Sequence, residues 1–507
     1  MTTDQPAPPA GTIRDWLDLR ADNSDGAGTA YVFLEGDPAS LSWLQLRNHA
    51  RRLACLLTAK GIGKGESIAI MMPNGPEAVI ALFGVLYGGF RATMINLVAG
   101  DDAISYALDH SEARFAMAGP DQQALFERCA RPLGIQPVGS VLETSDTGKC
   151  SLHALSGDDD ALLMYTSGTT GRPKGVVHSH HSLLAGGWTT MIAHHLTGSD
   201  RGVCVLPVYH INGLCVSMMG ALVSGGSIAM APRFSASQFW RQVDESRATW
   251  FSVVPTIISH LLHSEINPSS AAQGRVRFGR SASSALSIDV HTAFEKRFGV
   301  PLIETMGLTE TAAQILSNPQ PPKQRKIGSP GVACGNEVCI LGPDLQPLSS
   351  LLQGEIAVRG PNVMREYLKN PEATSASFTE DGWLRTGDLG HVDDDGYFFV
   401  TGRLKELIIK GGENIAPREI DEALYSHPDV IEAAAFARPC DSYGERVEAA
   451  VVIRAGSTLN ADALIEICRG KLGAFKCPDT IFVLDDLPKG PSGKIQRLKI
   501  AEITAAS

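Results

Sequence analysis

Apolar positions recur every three to four residues across 41–61, at Leu46, Ala50, Leu53, Ala54 and Leu57, and the run stops at Gly61. That period predicts an amphipathic helix with one buried face. The pattern then changes. Residues 67–72 form a short apolar run that predicts a buried strand, Pro73, Asn74 and Gly75 make a turn, and 76–88 is apolar over a helical length. Strand-like pieces at 91–96 and 114–118 carry the alternation to about residue 150. Alternating strand and helix patterns predict a layered α/β unit with a largely parallel sheet.

The alternation resumes beyond residue 175. A strand at 175–178, a helix at 179–194, a strand at 202–206, an apolar helix at 211–225 and a strand at 227–230 follow in order. Helix and strand patterns then pair at 237–247 with 249–254, 256–263 with 276–281, and 287–298 with 301–303. This predicts a second α/β unit. Between about 328 and 400, glycines and the β-rich pieces 338–341, 354–359 and 396–402 predict a smaller β-dominated module. The pattern shifts again between Gly402 and Glu406, into helices at 417–426 and 460–472 and strands at 430–437, 446–454 and 480–484. The expected fold class is therefore α/β. A disordered N-terminus (1–28) precedes a large N-terminal domain (29–403) of two layered α/β subdomains plus a β-rich module, and a small α+β C-terminal domain (404–507) closes the chain.

Bulk properties narrow the function more than the fold. A chain of 507 residues is too long for one core. A net charge of −11 argues against a general binder of nucleic acid or anionic membrane, which needs a basic surface. No window offers the uninterrupted apolar run of a membrane span, and 1–13 has no secretory pattern. The ten cysteines are scattered without a C-x-x-C pair, and most sit among apolar neighbours as reduced core residues do, so the expected location is cytoplasmic.

The densest chemistry lies in residues 165–175, Tyr-Thr-Ser-Gly-Thr-Thr-Gly-Arg-Pro-Lys-Gly. Glycine removes the Cβ that would block approach, so such a loop can turn several N–H groups and hydroxyls onto one anion. Phosphate is the obvious candidate, although the spacing is not that of a Walker loop: only two residues separate Gly168 from Gly171. Four further polar, glycine-rich segments stand out: 209–213 (Tyr-His-Ile-Asn-Gly), 304–311 (Glu-Thr-Met-Gly-Leu-Thr-Glu-Thr), 383–390 (Trp-Leu-Arg-Thr-Gly-Asp-Leu-Gly) and 490–495 (Gly-Pro-Ser-Gly-Lys-Ile). Taken singly, His210 reads as a satisfied histidine, Glu310 as a cap or surface acid, Asp388 as a turn residue and Lys494 as a surface lysine. His178, His180, His181, His194 and His195 read as helix surface. Neither an H-E-x-x-H zinc pattern nor a G-x-S-x-G elbow occurs.

Together and in this order, the segments 165–175, 306–311, 384–390, 402–406 and 491–494 resemble the adenylate-forming superfamily of acyl-CoA synthetases, adenylation domains and luciferases. The resemblance runs from about 30 to 500. It implies two half-reactions: a carboxylate attacks the α-phosphate of ATP, and a thiol, usually coenzyme A, then attacks the acyl-adenylate. It also implies a mobile C-terminal domain. On this resemblance Thr166, Ser167, Gly168, Thr169, Thr170 and Gly171 wrap the β/γ phosphates and Lys174 adds charge. Glu310, beside Thr309, holds Mg²⁺. Ser283, Ser284, Ala285, Glu304, Thr305, Met306 and Gly307 surround adenine, and Asp388 binds the ribose with Arg403 nearby. Lys494 bridges the attacking carboxylate and the α-phosphate, and Lys405 matches the hinge. Gly411, Gly412 and Glu413 reach the thiol tunnel after the swing, and His210 sits beside the carboxylate and gates that tunnel. Met306 stands where an aromatic residue commonly stacks on adenine, and Tyr209 where Phe is usual.

Within the superfamily the resemblance points to the branch that activates small anionic acids, with oxalate–CoA ligases nearest. The stretches 233–236, 248–251, 254–257, 317–319, 411–415, 472–476 and 493–497 carry it. Oxalate-type members tend to have further histidines at the position of Asn212 and near Ala313. Their loss suits a different or slightly larger acid, and the expected substrate is a short acid with a second anionic group, such as sulfoacetate, malonate or oxalate. Ligation of medium- or long-chain fatty or aromatic acids, and loading of an acyl-carrier protein, stay open as alternatives. So do the identity of the second donor set and assembly as a homodimer.

Overall fold

The computed structural model describes residues 6–23, 28–142, 150–166, 172–490 and 494–505. Four sheets organise the chain. A seven-stranded sheet carries Ser67–Met71, Arg91–Met94, Phe115–Ala118, Asp160–Thr166 and Lys174–Ser179, parallel except at the edge nearest Lys174. A nine-stranded sheet carries Arg201–Cys204, Ser227–Met230, Trp250–Val253, Phe278–Ser281 and Leu302–Leu308, parallel through its centre. The helices Trp43–Ala59, Pro76–Gly88 and His180–His194 share one continuous apolar core with both sheets. The helix Phe239–Glu245 and its neighbours build a second core on the nine-stranded sheet, with Trp240, Phe251, Phe294 and Phe298 in mutual contact. Four antiparallel strands, Glu337–Leu341, Gly354–Arg359, Leu384–Val392 and Phe398–Arg403, form the β-rich module. Beyond them a five-stranded sheet and the helices Pro417–Tyr425 and Ala461–Lys476 enclose a separate core around Ile420, Leu424, Val447 and Val451. The architecture is α/β, with a large N-terminal domain and a small α+β C-terminal one.

Four local expectations need correction, and one strand pairing lies outside any expectation. Ile13–Asp22 is a helix inside the stretch whose composition predicts disorder; Thr12 and Asp15 form a capping box, and Ile13, Leu17 and Ala21 are buried. Strand Thr29–Phe33 pairs in parallel with Ser227–Met230, joining the second sheet although it precedes the first in sequence. The strands flanking the glycine-rich loop belong to the first sheet, through pairing of Ala92 with Leu162, and not to the unit that follows. The apolar segment expected as one helix at 211–225 is wound as wider π-type turns over Asn212–Met219 and as α-helix only over Gly220–Ser224. Wide turns of that kind are frequently found at functional sites. Cys55 and Cys150 are bonded to each other, so the reduced state expected of most cysteines does not hold for this pair. Among the described residues no helix is long and apolar enough to cross a membrane.

Candidate active site

The glycine-rich loop links Asp160–Thr166 to Lys174–Ser179, two antiparallel strands with Thr166 opposite Lys174. Ser167, Gly168, Thr169, Thr170 and Gly171 lie outside the described residues, as do Pro491, Ser492 and Gly493. Lys174 is placed: its Nζ stands 4.0 Å from the centre of the Tyr367 ring. Burial lowers its pKa, and the Glu310 carboxylate pulls the other way.

Glu310 is held from two sides. The Tyr367 hydroxyl donates to its Oε1 at 2.7 Å, and its own carbonyl accepts from the Met364 N–H at 2.7 Å. The preceding residue is fixed by a histidine that the sequence reading left on a surface. His178 is fully buried and its Nε2 donates to the Thr309 carbonyl at 2.6 Å, while Nδ1 meets Ser182 Oγ at 3.0 Å. Burial lowers the pKa of His178 to about 4. It therefore acts as a neutral brace. His180 and His194 are equally buried, which corrects their reading as helix surface; His194 bonds Gln314 Oε1 at 3.1 Å.

Segment 304–307 lies on strand Leu302–Leu308. Glu304 is buried; Leu286 N–H donates to its Oε1 at 3.2 Å, Oε2 has no partner, and burial pushes its pKa up. Thr305 Oγ1 donates to the Ser281 carbonyl at 3.2 Å. Met306 packs into the apolar cluster of Val176, Ile315, Ile356 and Val358, so most of its surface is taken up before any purine arrives. Gly307 passes so close to Ala313 that a Cβ would overlap the carbonyl there. Ser283 stands with φ of 74°, and Ser283 and Ala285 are exposed, with Ser284 partly so. These residues flank an opening rather than fill a core.

On the β-rich module Asp388 lies opposite Arg403 across an antiparallel pair, and Arg403 Nε reaches Asp388 Oδ1 at 2.7 Å. Burial pushes the Asp388 carboxyl up, with Arg403 and Lys494 pulling against it. Lys494 comes from the far end of the C-terminal domain and sits 3.4 Å from Glu406 Oε1. Burial lowers its pKa, opposed first by Glu406; Arg403 pushes it down further and Asp388 pulls it up. Ordinary surface lysines are neither desolvated nor surrounded in this way. Lys405 is exposed. The hairpin tip at Gly411, Gly412 and Glu413 is exposed too, and among the described residues no hydrogen bond or ion pair joins it to Lys494, Asp388 or Glu310.

His210 opens the wide-turned segment. Its ring stands 5.4 Å from that of Tyr209, burial lowers its pKa to about 4, and its buried Nε2 has no partner among the described residues. Several polar contacts link the domains, among them those of Ser259 and His260. Ser259 Oγ donates to the Ile431 carbonyl at 2.5 Å, and buried Glu432 lies 3.3 Å from His260 and 2.9 Å from Lys489. Lys174 and Arg403 thus act on Glu310, and Glu406, Arg403 and Asp388 act on Lys494, where the domains meet.

The AMP-binding enzyme family matches residues 20–368, and its C-terminal domain matches 419–494. The chain belongs to this family. Among similar proteins is a sulfoacetate–CoA ligase of Cupriavidus necator, 45% identical over 93% of this chain and 94% of that protein. An oxalate–CoA ligase of Arabidopsis thaliana is 36% identical over 89% of this chain and 91% of its own length. Among solved AMP-binding enzymes, ATP-bound MatB from Rhodopseudomonas palustris superposes with a TM-score of 0.89 at 29% identity, covering 97% of this chain and 99% of that one. The match to an AMP-binding enzyme agrees with the adenylate-forming resemblance carried by the five motifs.

Two residues of the site escaped the sequence reading. Tyr367 and His178 sit in no motif, and only their contacts with Glu310 and Thr309 identify them.

Proposed function

We propose that the chain is an ATP-dependent acid–CoA ligase for a short acid with a second anionic group, of the sulfoacetate, malonate or oxalate type. The observation that carries the reading is Lys494, half-buried among Asp388, Arg403 and Glu406 in a family member 45% identical to a sulfoacetate–CoA ligase. In the first half-reaction an acid oxygen attacks the α-phosphorus, its bond to the bridging oxygen breaks, and pyrophosphate leaves. Two anions must approach each other, so a desolvated ammonium between them acts where charge concentrates. Lys494 fills that role, and its neighbourhood is that of the adenylate-forming arrangement.

Asp388 accepts from the ribose hydroxyls while Arg403 orients it. Lys174 and the glycine-rich loop hold the β/γ phosphates, and segment 304–307 with Ser283, Ser284 and Ala285 borders adenine. A magnesium ion fits at Glu310, an oxygen donor already hydrogen-bonded by Tyr367. Among the described residues no group of three or more His, Cys, Asp or Glu side chains could cage a metal, so the remaining ligands are phosphate and water oxygens. When bound, the ion neutralises phosphate charge. In the second half-reaction the C-terminal domain turns about Lys405, withdraws Lys494 and brings Gly411, Gly412 and Glu413 toward the thiol. Sulfur then bonds to the acyl carbon and AMP leaves.

Pyrophosphate exchange over acids of graded length and charge, followed by thioester formation with free coenzyme A, tests the reading. Exchange confined to fatty or aromatic acids would refute the substrate class. Exchange without thioester from free coenzyme A would turn the assignment toward a carrier-protein loader.

A further inference from the structure

Strand Phe278–Ser281 buries all four of its residues, including an arginine. Arg280 is 1% exposed. It faces the same side of the sheet as Phe278, toward helix His180–His194, which stacks His194 on that ring. Its Nε donates to Gln314 Oε1 at 3.0 Å, and its Nη1 donates to Asn212 Oδ1 at 2.8 Å and to Ser252 Oγ at 3.1 Å. All three acceptors are uncharged. Among the described residues no carboxylate forms an ion pair with Arg280, and its Nη2 makes no hydrogen bond. Burial lowers its pKa to about 9, which leaves it charged at neutral pH. His194 beside it has its pKa lowered to about 3 by burial first and by Arg280 next.

A desolvated charge without a counter-ion is unfavourable, and proteins keep one where an anion arrives to compensate it. The surroundings say from where. Asn212 lies two residues after His210, whose Nε2 is buried without a partner among the described residues, and Asn212 Nδ2 donates to Ser283 Oγ at 3.3 Å. The guanidinium is thus joined through one amide to the exposed segment 283–285. A shorter acid needs cations close to the reacting carboxylate. A longer one needs a cation set further back.

We infer that Arg280 is the specificity-determining cation for the second anionic group of the substrate, with His210 and Asn212 bordering the path to it. The inference rests on the substrate reading proposed above. An acid one methylene longer than oxalate, such as sulfoacetate or malonate, would place its carboxylate at Lys494 and its sulfonate or second carboxylate toward Arg280. A guanidinium fork suits either oxyanion, because two N–H groups can meet two oxygens at once.

The test compares acids that differ in that charge alone: sulfoacetate against methylsulfonylacetate, and malonate against malonamate. Each is assayed by pyrophosphate exchange with wild type, Arg280→Gln and Arg280→Lys. For Arg280→Gln, kcat/KM for the charged acid should fall at least about 30-fold, mainly through KM. The uncharged partner should stay within about threefold of wild type. Arg280→Lys should keep an intermediate preference for the charged acid, which covers the case in which Arg280→Gln does not fold. Equal losses for both members of each pair, in whichever variant folds, would overturn the inference and leave Arg280 as a prop for Asn212 and Gln314. A wild-type enzyme that does not prefer the charged acids would sink the proposed substrate class itself, and that shows before any variant is made.

Discussion

Lys494 and Arg280 are both desolvated cations, and they are compensated in opposite ways. Lys494 has Glu406 at 3.4 Å and feels Asp388 as well; its charge is met by carboxylates carried on the β-rich module and the segment that follows it. Arg280 has only amide and hydroxyl oxygens around it. The first belongs to a domain with its own core, attached through a few polar contacts. The second is rooted in a fully buried central strand. A cation that must arrive and depart has carboxylates to receive it. A cation that never moves is held by neutral dipoles, and its charge is left over for a ligand. On the proposed reading, the contrast separates a residue of reaction from a residue of selection.

The strongest test is Lys494→Ala. Exchange should fall by about 10³-fold for charged and uncharged acids alike, because the lost interaction is made at the reacting phosphate. ATP binding and thioester formation from supplied adenylate should persist, and undiminished exchange would dismiss Lys494. Next comes acid stability around the buried histidines. His178 and His180 are held neutral with pKa about 4 and His194 about 3. The unfolded chain takes up protons near pH 6.5 and the native one does not. Their contribution is therefore full above 6.5 and lost as pH falls toward 4. Each steepens the loss by up to about 1.4 kcal/mol per pH unit. Denaturant melts at pH 7, 6 and 5 should show it, and His194→Gln should flatten the slope.

Smaller effects probe how Lys494 is held. Glu406 supports the charged form of Lys494, so Glu406→Gln should move the alkaline limb of the exchange profile to lower pH. A shift to higher pH would contradict the pairing. Glu432→Gln loosens the contact with His260 and Lys489. Both partners are partly exposed, so adenylate formation should slow only about threefold while thioester formation is unchanged or faster. Equal slowing of both steps would mean that the contact supports the fold and not the arrangement of the domains.

Much of this was legible from pattern. Strand Ser67–Met71, helix Pro76–Gly88 and the change of sheet between Arg403 and Ile408 follow from local period and punctuation. Pairing between distant segments was not. Nothing in residues 29–33 says that they join Ser227–Met230, because a strand's partner is chosen by the tertiary core. The same limit governs the site. Glu310, Asp388 and Lys494 announce themselves through motif spacing, while Arg280, Tyr367 and His178 acquire meaning only from what they touch. The histidines show why: His178 and His180, read as helix surface, are fully buried by contacts with distant segments, Thr309 for His178 and Ile13 for His180.

Asp388 and Arg403 face each other across the last two strands of the β-rich module, and Leu404 N–H donates to the Gly387 carbonyl at 2.9 Å. In the proposed assignment this pair grips the sugar, and Lys405 is where rotation begins. Displacement about an axle grows with radius. The ribose, seated almost on the axis, would scarcely shift, whereas Lys494 at the end of a long lever arm would be carried clear of the phosphate. The adenylate would then stay in its bearing while the group that made it leaves.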